Sequence, residues 1–511
     1  MSPAPTAPAS PSPDTDAVPV IEPELAAAAS AVDEAEDAEQ VGRAPGSGPG
    51  TIAADSRPGL LRRLVASVAD PVLRILVIAT LVSRVGRGIF LTVTVLYFTL
   101  IVGLAPHEVA IVLGAASAAG VLSSLAGGWL ADRVSARRLL VVLSVIDGVG
   151  LVCYVFAHDF VSALVIAMIV GAVEQAANST RMAIIARAFD GDQRVHARAV
   201  LRTVTNVAIA VGSGIGALAL LAGTAEAYRW IIVGAGVMYL AGVTQLVKLP
   251  HRVDAPTRPA SDASVVTTAT GSTDVRAPAR ARRLARRAHS PWRDPRYLAL
   301  TALSAVFGMQ FGVGEVGVPL WIANDTNAPE VLVAVVLILN TVIVVLFQVP
   351  LSRGTHDLRR AGRVSAIAAW LMAAACLIYA AASGLPSGFA IAVIVAAAVA
   401  HAFAEVLSQA GGWGLSFELA DPVRAGTYQG VFSMGYSLGA MVAPLFVTST
   451  ALTLGLAGWA VLAAVFLASG LGTWAIAVVS ARAAARAAAR AVTTAGRQAE
   501  GDAERAQPSS A

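Results

Sequence analysis

Uninterrupted apolar stretches of about twenty residues recur about twelve times along the chain, in two groups of six separated by an arginine-rich segment near Leu249 to Arg296. At 1.5 Å rise per residue, each stretch is long enough as a helix to cross a ~30 Å hydrocarbon layer. A water-soluble helix would carry a polar face, whereas these are apolar all round. The pattern predicts an all-α membrane protein with twelve transmembrane helices in two six-helix bundles. The expected spans lie near 73–102, 108–130, 138–157, 160–185, 199–222, 229–249, 297–323, 330–350, 362–383, 388–414, 427–449 and 454–479.

Polar residues divide the chain further. Residues 1–67 are rich in Ala, Pro, Ser and acids and lack apolar periodicity, so a disordered tail is expected. The first basic residue is Arg43 and no apolar run follows a basic start, so the first span is expected to act as an uncleaved insertion signal. The remaining divisions are an N-terminal bundle (68–249), a basic linker (250–295), a C-terminal bundle (296–480) and a basic tail (481–511). In the tail Arg482, Arg486 and Arg490 recur every fourth residue among alanines, as in a helix that extends the last span or lies on an anionic membrane.

Arginine also sets the topology. Alternate connections carry Arg133, Arg137 and Arg138; then Arg187, Arg194 and Arg198; then the linker; then Arg353, Arg359, Arg360 and Arg363; then Arg424. The connections between them hold only Arg229. The positive-inside bias places these loops, the linker and both termini in the cytoplasm, for a multi-pass protein of the cell (inner) membrane. With 37 Lys+Arg against 33 Asp+Glu, the excess is too small and too dispersed for nucleic acid. Cys153 and Cys376 lie in spans of different halves, which reads as two small core residues rather than a disulfide or a thiolate metal site.

The halves echo each other. Ala105-Pro106-His107-Glu108 precedes the second span as Ala328-Pro329-Glu330 precedes the eighth, each followed one span later by a short basic loop. Such pseudo-symmetric repeats suit halves that rock about a central site. Between the second and third spans stands Gly128-Trp129-Leu130-Ala131-Asp132-Arg133-Val134-Ser135-Ala136-Arg137-Arg138. It resembles motif A of the major facilitator superfamily, with Ser135 in place of a glycine and Ala136 in place of an arginine. The resemblance covers about residues 70–480 and implies a transporter. It gives Gly128 a close helix approach and assigns Asp132 a partner at the start of the eleventh span, near Gly426 to Gly430. Arg133, Arg137 and Arg138 are expected to hold that carboxylate or the phospholipid surface. Gly212 and Gly216 form part of the family's antiporter motif, with Ala217 where proline belongs, and Ala167 replaces the arginine of its motif B. Gly435, Gly439 and Pro444 of the eleventh span are read, like Gly212 and Gly216, as packing positions.

Ionisable residues inside spans cost about 2.5–3.5 kcal/mol each on insertion scales, so they face protein or a wet cavity. These are Arg84 and Arg87, Asp147, Glu174, Glu315, and His401 with Glu405. All but Asp147 lie on spans one, four, seven and ten, which the resemblance makes cavity-lining. Arg84 and Arg87 share a helix face, and Arg87 is expected to pair with Glu174, with Asp147 as the alternative; a carboxylate so placed can exchange its arginine for a proton, so Glu174→Gln is expected to stop proton-driven export. His401 and Glu405 are four apart, a spacing that suits a proton site. No phosphate-cradling loop or HExxH pattern is present, so neither an enzyme nor a cofactor is expected. The leading expectation is a functional monomer that exports a lipophilic or amphipathic small molecule against protons, by alternating access, amid membrane lipids. Transport of an anionic metabolite held by Arg84 and Arg87, or a non-transporting sensor or scaffold, are the alternatives.

Overall fold

The computed structural model describes residues 70–220, 224–254 and 290–506. The expected disorder of residues 1–67 and most of the linker therefore lie outside the described residues. Among the described residues, twelve helices are long and apolar enough to cross a membrane: α1 (Pro71–Ile101), α2 (Pro106–Ala131), α3 (Ala136–Phe156), α4 (Phe160–Ala188), α5 (Gly191–Leu218), α6 (Ala225–Leu246), α7 (Pro295–Asp325), α8 (Leu332–Ser352), α9 (Leu358–Ala381), α10 (Ser387–Glu418), α11 (Pro422–Leu452) and α12 (Leu456–Thr494). No strand occurs among the described residues. The protein is a multi-pass membrane protein. Leu100, Leu122, Leu218, Ile338 and Phe389 stand exposed on its helices, which suits contact with lipid and not with water.

Local chemistry starts most of these helices. Asp70 caps α1 through the N–H groups of Val72 (2.7 Å) and Leu73 (3.3 Å), with Pro71 at the first helical position. Its carboxylate also meets Arg252 at 2.7 Å, tying the start of α1 to the segment after α6. Partial burial would raise the Asp70 carboxyl, but Arg252 and the two N–H groups outweigh it and hold it below the usual carboxylate range. Ser135, the departure from the motif's glycine, caps α3 by accepting from the Arg138 N–H. At α2, Pro106 opens the helix and the Glu108 carboxylate accepts from the Ala105 N–H at 2.8 Å. The echoing turn differs: Pro329 to Val331 form a separate turn and α8 starts at Leu332 with no side-chain cap.

Two helices run furthest beyond their expected limits. α5 begins at Gly191 rather than 199, so Arg194 and Arg198 are helical and not part of a loop. α12 continues as one helix to Ala506, so the basic tail extends the last span.

The bundles repeat one packing plan. In the first, α1 packs on α5 and α6, α2 on α4, and α3 on α6; in the second, α7 packs on α11 and α12, α8 on α10, and α9 on α12. α2 and α4 cross to α11, and α5 crosses to α8 and α10. One apolar core lies within the second bundle, whereas the other runs from the first bundle into Tyr297, Trp413, Phe417, Tyr428 and Phe432. Those five lie toward the ends of α7, α10 and α11 nearest the basic loops. The halves therefore join on the basic face. Cys376 is buried and Cys153 half-buried, both unpaired.

Candidate functional site

Asp132 ends α2, and its carboxylate sits at the start of α11. There it accepts from the N–H of Gly426 (2.8 Å), the N–H of Thr427 (2.6 Å) and the Thr427 hydroxyl (2.5 Å). α11 opens with a tight turn, Pro422–Arg424, and becomes α-helical at Ala425, where the first-turn N–H groups lack intrahelical acceptors and Arg424 at the cap position supplies no side-chain acceptor. Asp132 is thus a cap delivered from the other half. The approach depends on Gly128: a Cβ there would strike the Gly426 carbonyl and lie 2.7 Å from Gly430 Cα.

An arginine from outside the motif pairs with Asp132. The arginine that reaches Asp132 is Arg187 of α4, which also donates to the Ala131 carbonyl at 3.1 Å. Arg133 stacks over Trp129, its guanidinium carbon 3.6 Å from the ring centre. Arg137 donates to the Leu249 carbonyl (3.1 Å), and its backbone N–H donates to Asp254, so it fastens α3 to the end of α6. Arg138 is exposed.

A second connection runs along α5. Arg194, Arg198 and Arg202 are four apart and so share one helix face. Arg194 pairs with Glu418 (3.4 Å), Arg198 lies over Trp413 (4.5 Å), and Arg202 pairs with Glu405, all three partners on α10 of the other half. Glu405 also accepts from Asn340 of α8 at 3.0 Å. The loop after α8 adds a smaller tie, the Gly354 N–H donating to Asp192 at 2.7 Å.

Above these ties lies a chamber between the halves. A cavity of about 360 Å³ is lined by residues that include Arg202, Asn206, Phe311, Glu315, His401 and Glu405. One of about 140 Å³ includes Arg84, Asn178, Arg181, Arg198, Arg202 and Asn206. The smaller cavity is lined wholly by the first bundle and adjoins the larger one, which lies between the halves, at Arg202 and Asn206. Glu315 stands in a widened turn, Val313–Gly317, and makes no hydrogen bond or ion pair among the described residues.

Of the residues singled out from sequence, Arg84 (2.8 Å) and Arg87 (2.5 Å) both pair with Glu174, within the first bundle. Asp147 accepts instead from the Tyr239 hydroxyl at 2.6 Å. His401 and Glu405 share a face but are not joined by a hydrogen bond: Arg202 and Asn340 take the carboxylate, and the imidazole meets Tyr379 edge-on. Gly212 and Gly216 lie against Val85 and Ile89 of α1, and Gly435 and Gly439 against Thr301 and Ala305 of α7, the same pairing in both bundles. Pro444 sits in α11 one turn before its widened end. Reading from sequence gave no functional place to Arg181, Arg187 or Arg198. The four-residue arginine spacing signals Arg198, but the apolar run of the fifth span begins only after it.

The family model "Major Facilitator Superfamily" matches residues 76–444. No curated protein matches the sequence. The fold is similar to that of the human organic anion transporter MFSD10 (TETRAN), with TM-score 0.58 and 14% identity over 79% of this chain and 99% of that one. It is also similar to FucP in an outward conformation, with TM-score 0.58 and 14% identity over 80% and 99%. A bacterial homologue of the iron transporter ferroportin in an outward-facing state gives TM-score 0.59 and 12% identity over 80% and 98%. At such identities the likeness concerns the fold alone. The family model spans most of the chain and agrees with the two-bundle architecture: the chain belongs to the Major Facilitator Superfamily.

Proposed function

We propose that this transporter exports a small amphipathic compound from the cell in exchange for protons, with the basic face and both termini in the cytoplasm of the cell (inner) membrane. On this reading the described conformation is closed toward the cytoplasm. The observation that carries the proposal is the Arg202–Glu405 ion pair, because it joins the halves beside the chamber. Any rocking that opens the basic face pulls α5 from α10 and separates this pair. A carboxylate parted from its arginine in a low-dielectric setting is cheaper neutral than charged, so separation favours proton uptake. Glu174 suits that role less well, since both its arginines belong to the same bundle and move with it.

Alternating access then links proton and substrate through one chamber. The test uses the full chain in phospholipid vesicles with an acidic interior and a panel of neutral, cationic and anionic fluorescent amphipaths outside. For protein facing so that its chamber loads from the bath, a compound of the panel is expected to accumulate, and a protonophore to abolish accumulation. Glu405→Gln is expected to lower gradient-driven accumulation at least ten-fold while substrate exchange between equal pools persists. Accumulation that ignores the pH step in the wild-type protein would replace this reading with facilitated passage.

A further inference from the structure

The arginines first suspected of holding an anion, Arg84 and Arg87, are already occupied by Glu174, so an anion site must lie elsewhere. The smaller cavity is lined by four arginines: Arg84, Arg181, Arg198 and Arg202. Arg84 is offset by Glu174 and Arg202 by Glu405. Arg181 and Arg198 have no carboxylate partner among the described residues. Arg181 is 8% exposed, and the Nε atoms of Arg181, Arg198 and Arg202 are all buried without an acceptor. Buried cations are normally paired or hydrogen-bonded. Trp413 holds the plane of Arg198 but accepts none of its N–H groups.

We infer that the chamber selects an amphipathic organic anion, its acidic head held between Arg181 and Arg198 and its apolar body directed into the larger cavity. This rests on the reading of the chamber as the transport site and adds the class of substrate. Arg181 lies about two turns before the end of α4, and Arg198 about two turns after the start of α5, so the two stand at one depth. Asn178 and Asn206 line the same space and supply neutral amide donors. The adjoining cavity offers Ile209, Phe311, Val336 and Leu337 to an apolar body. Guanidinium forks bind carboxylate and sulfonate oxygens in pairs, which favours a planar or tetrahedral oxyanion over a point charge. Glu315, the unpaired acid, is about five to six turns along α7 from the basic face, well above Arg181. It does not neutralise the head site.

The test is equilibrium binding to the purified full chain in neutral detergent, where no gradient exists. The probes are two isosteric pairs: naphthalene-1-sulfonate with 1-naphthylmethylammonium, and 4-phenylbutanoate with 4-phenylbutylammonium. Each anion is expected to give a saturable rise in melting temperature and its cation none. Arg181→Gln and Arg198→Gln are each expected to weaken anion binding at least ten-fold, and Arg181→Lys to weaken it less than Arg181→Gln. Equal response to anion and cation in the wild-type protein, or no response to either anion, overturns the inference without recourse to any variant. Arginine-dependent anion binding together with flux indifferent to pH would leave this inference standing and remove the proton coupling. Proton-driven flux of a cation would do the reverse.

Discussion

Of the acids that tie the halves together, Asp132 and Asp192 do so at equivalent places on the basic face and in unequal ways. Asp132 belongs to the connection after α2 and reaches the start of α11; Asp192 belongs to the start of α5 and reaches the connection after α8. The pseudo-symmetry of the bundles makes these equivalent crossings, α2 on α11 and α8 on α5. The Asp132 side chain is 8% exposed and meets two N–H groups, a hydroxyl and Arg187. The Asp192 side chain is 49% exposed and meets one N–H, from Gly354, and His356 at 3.4 Å. Gly354 can present that N–H because it adopts a φ of 72°, open to glycine at little cost. Removing a buried carboxylate that accepts several hydrogen bonds across the halves leaves its donors unpaired and is expensive, whereas an exposed pair contributes little. The comparison teaches that sequence-equivalent crossings need not share the work: on the reading proposed above, one crossing is expected to hold the basic face shut and the other only to guide it.

The largest break in this comparison comes from Asp132→Ala. It strips the α11 start of its cap and of three charge-assisted hydrogen bonds, whereas the Arg187 contact lies within one bundle and moves with it. The expected loss of closure is about 3–5 kcal/mol, from roughly 1.5 kcal/mol for each bond to a charged group, at least a hundred-fold in the closed-to-open ratio. Ala199→Cys, in a protein whose two native cysteines are replaced by alanine, provides the readout. Ala199 is 3% exposed, on α5, and its neighbours there face the other half. Maleimide labelling of that cysteine is expected to accelerate at least a hundred-fold when Asp132→Ala is added. No acceleration would mean that the α5 arginines, not Asp132, hold the closure.

The two crossings were not equally legible in the sequence. The Asp132 crossing could be found because a short motif carries it, and the partner window around Gly426 contained the true contacts. Arg187 was missed because an arginine near the end of α4 reads the same whether it faces lipid headgroups or a carboxylate; only the packing of α4 on α2 decides. The Asp192 crossing has no motif. Likewise the span count follows from apolar lengths alone, but the beginning of α5 does not: Arg194 and Arg198 argue for a loop, whereas Glu418 and Trp413 of α10 let the helix carry them. His401 and Glu405 illustrate the same limit. Spacing of four puts side chains on one face, but contact depends on what the facing helices offer, here Arg202, Asn340 and Tyr379.

A second change sharpens the comparison without touching charge. Gly128→Ala places a methyl group against the backbone of Gly426 and Gly430, which cannot rotate away. Overpacking of this kind costs about 1–3 kcal/mol, so labelling at residue 199 is expected to rise by one to two orders of magnitude, below the effect of Asp132→Ala. A smaller rise at higher temperature is not a substitute measurement, because the contact is steric; the diagnostic is that Gly128→Ala adds little to Asp132→Ala in the double variant, since both open the same crossing.

Asp192→Asn should do least. The amide oxygen still accepts from the Gly354 N–H, so the variant removes only the charge that faces His356, across a pair exposed on both sides. An exposed pair contributes about 0–1 kcal/mol, which limits the expected acceleration of labelling at residue 199 to about five-fold. Salt distinguishes this tie from the other: a solvent-exposed pair is screened at high ionic strength, while the enclosed Asp132 cluster is not. The wild-type labelling rate is therefore expected to change little between low and high salt, and the small effect of Asp192→Asn to vanish at high salt. Should Asp192→Asn match Asp132→Ala in magnitude, the two crossings carry equal weight. Closure would then follow the symmetry of the fold and not the burial of its charges.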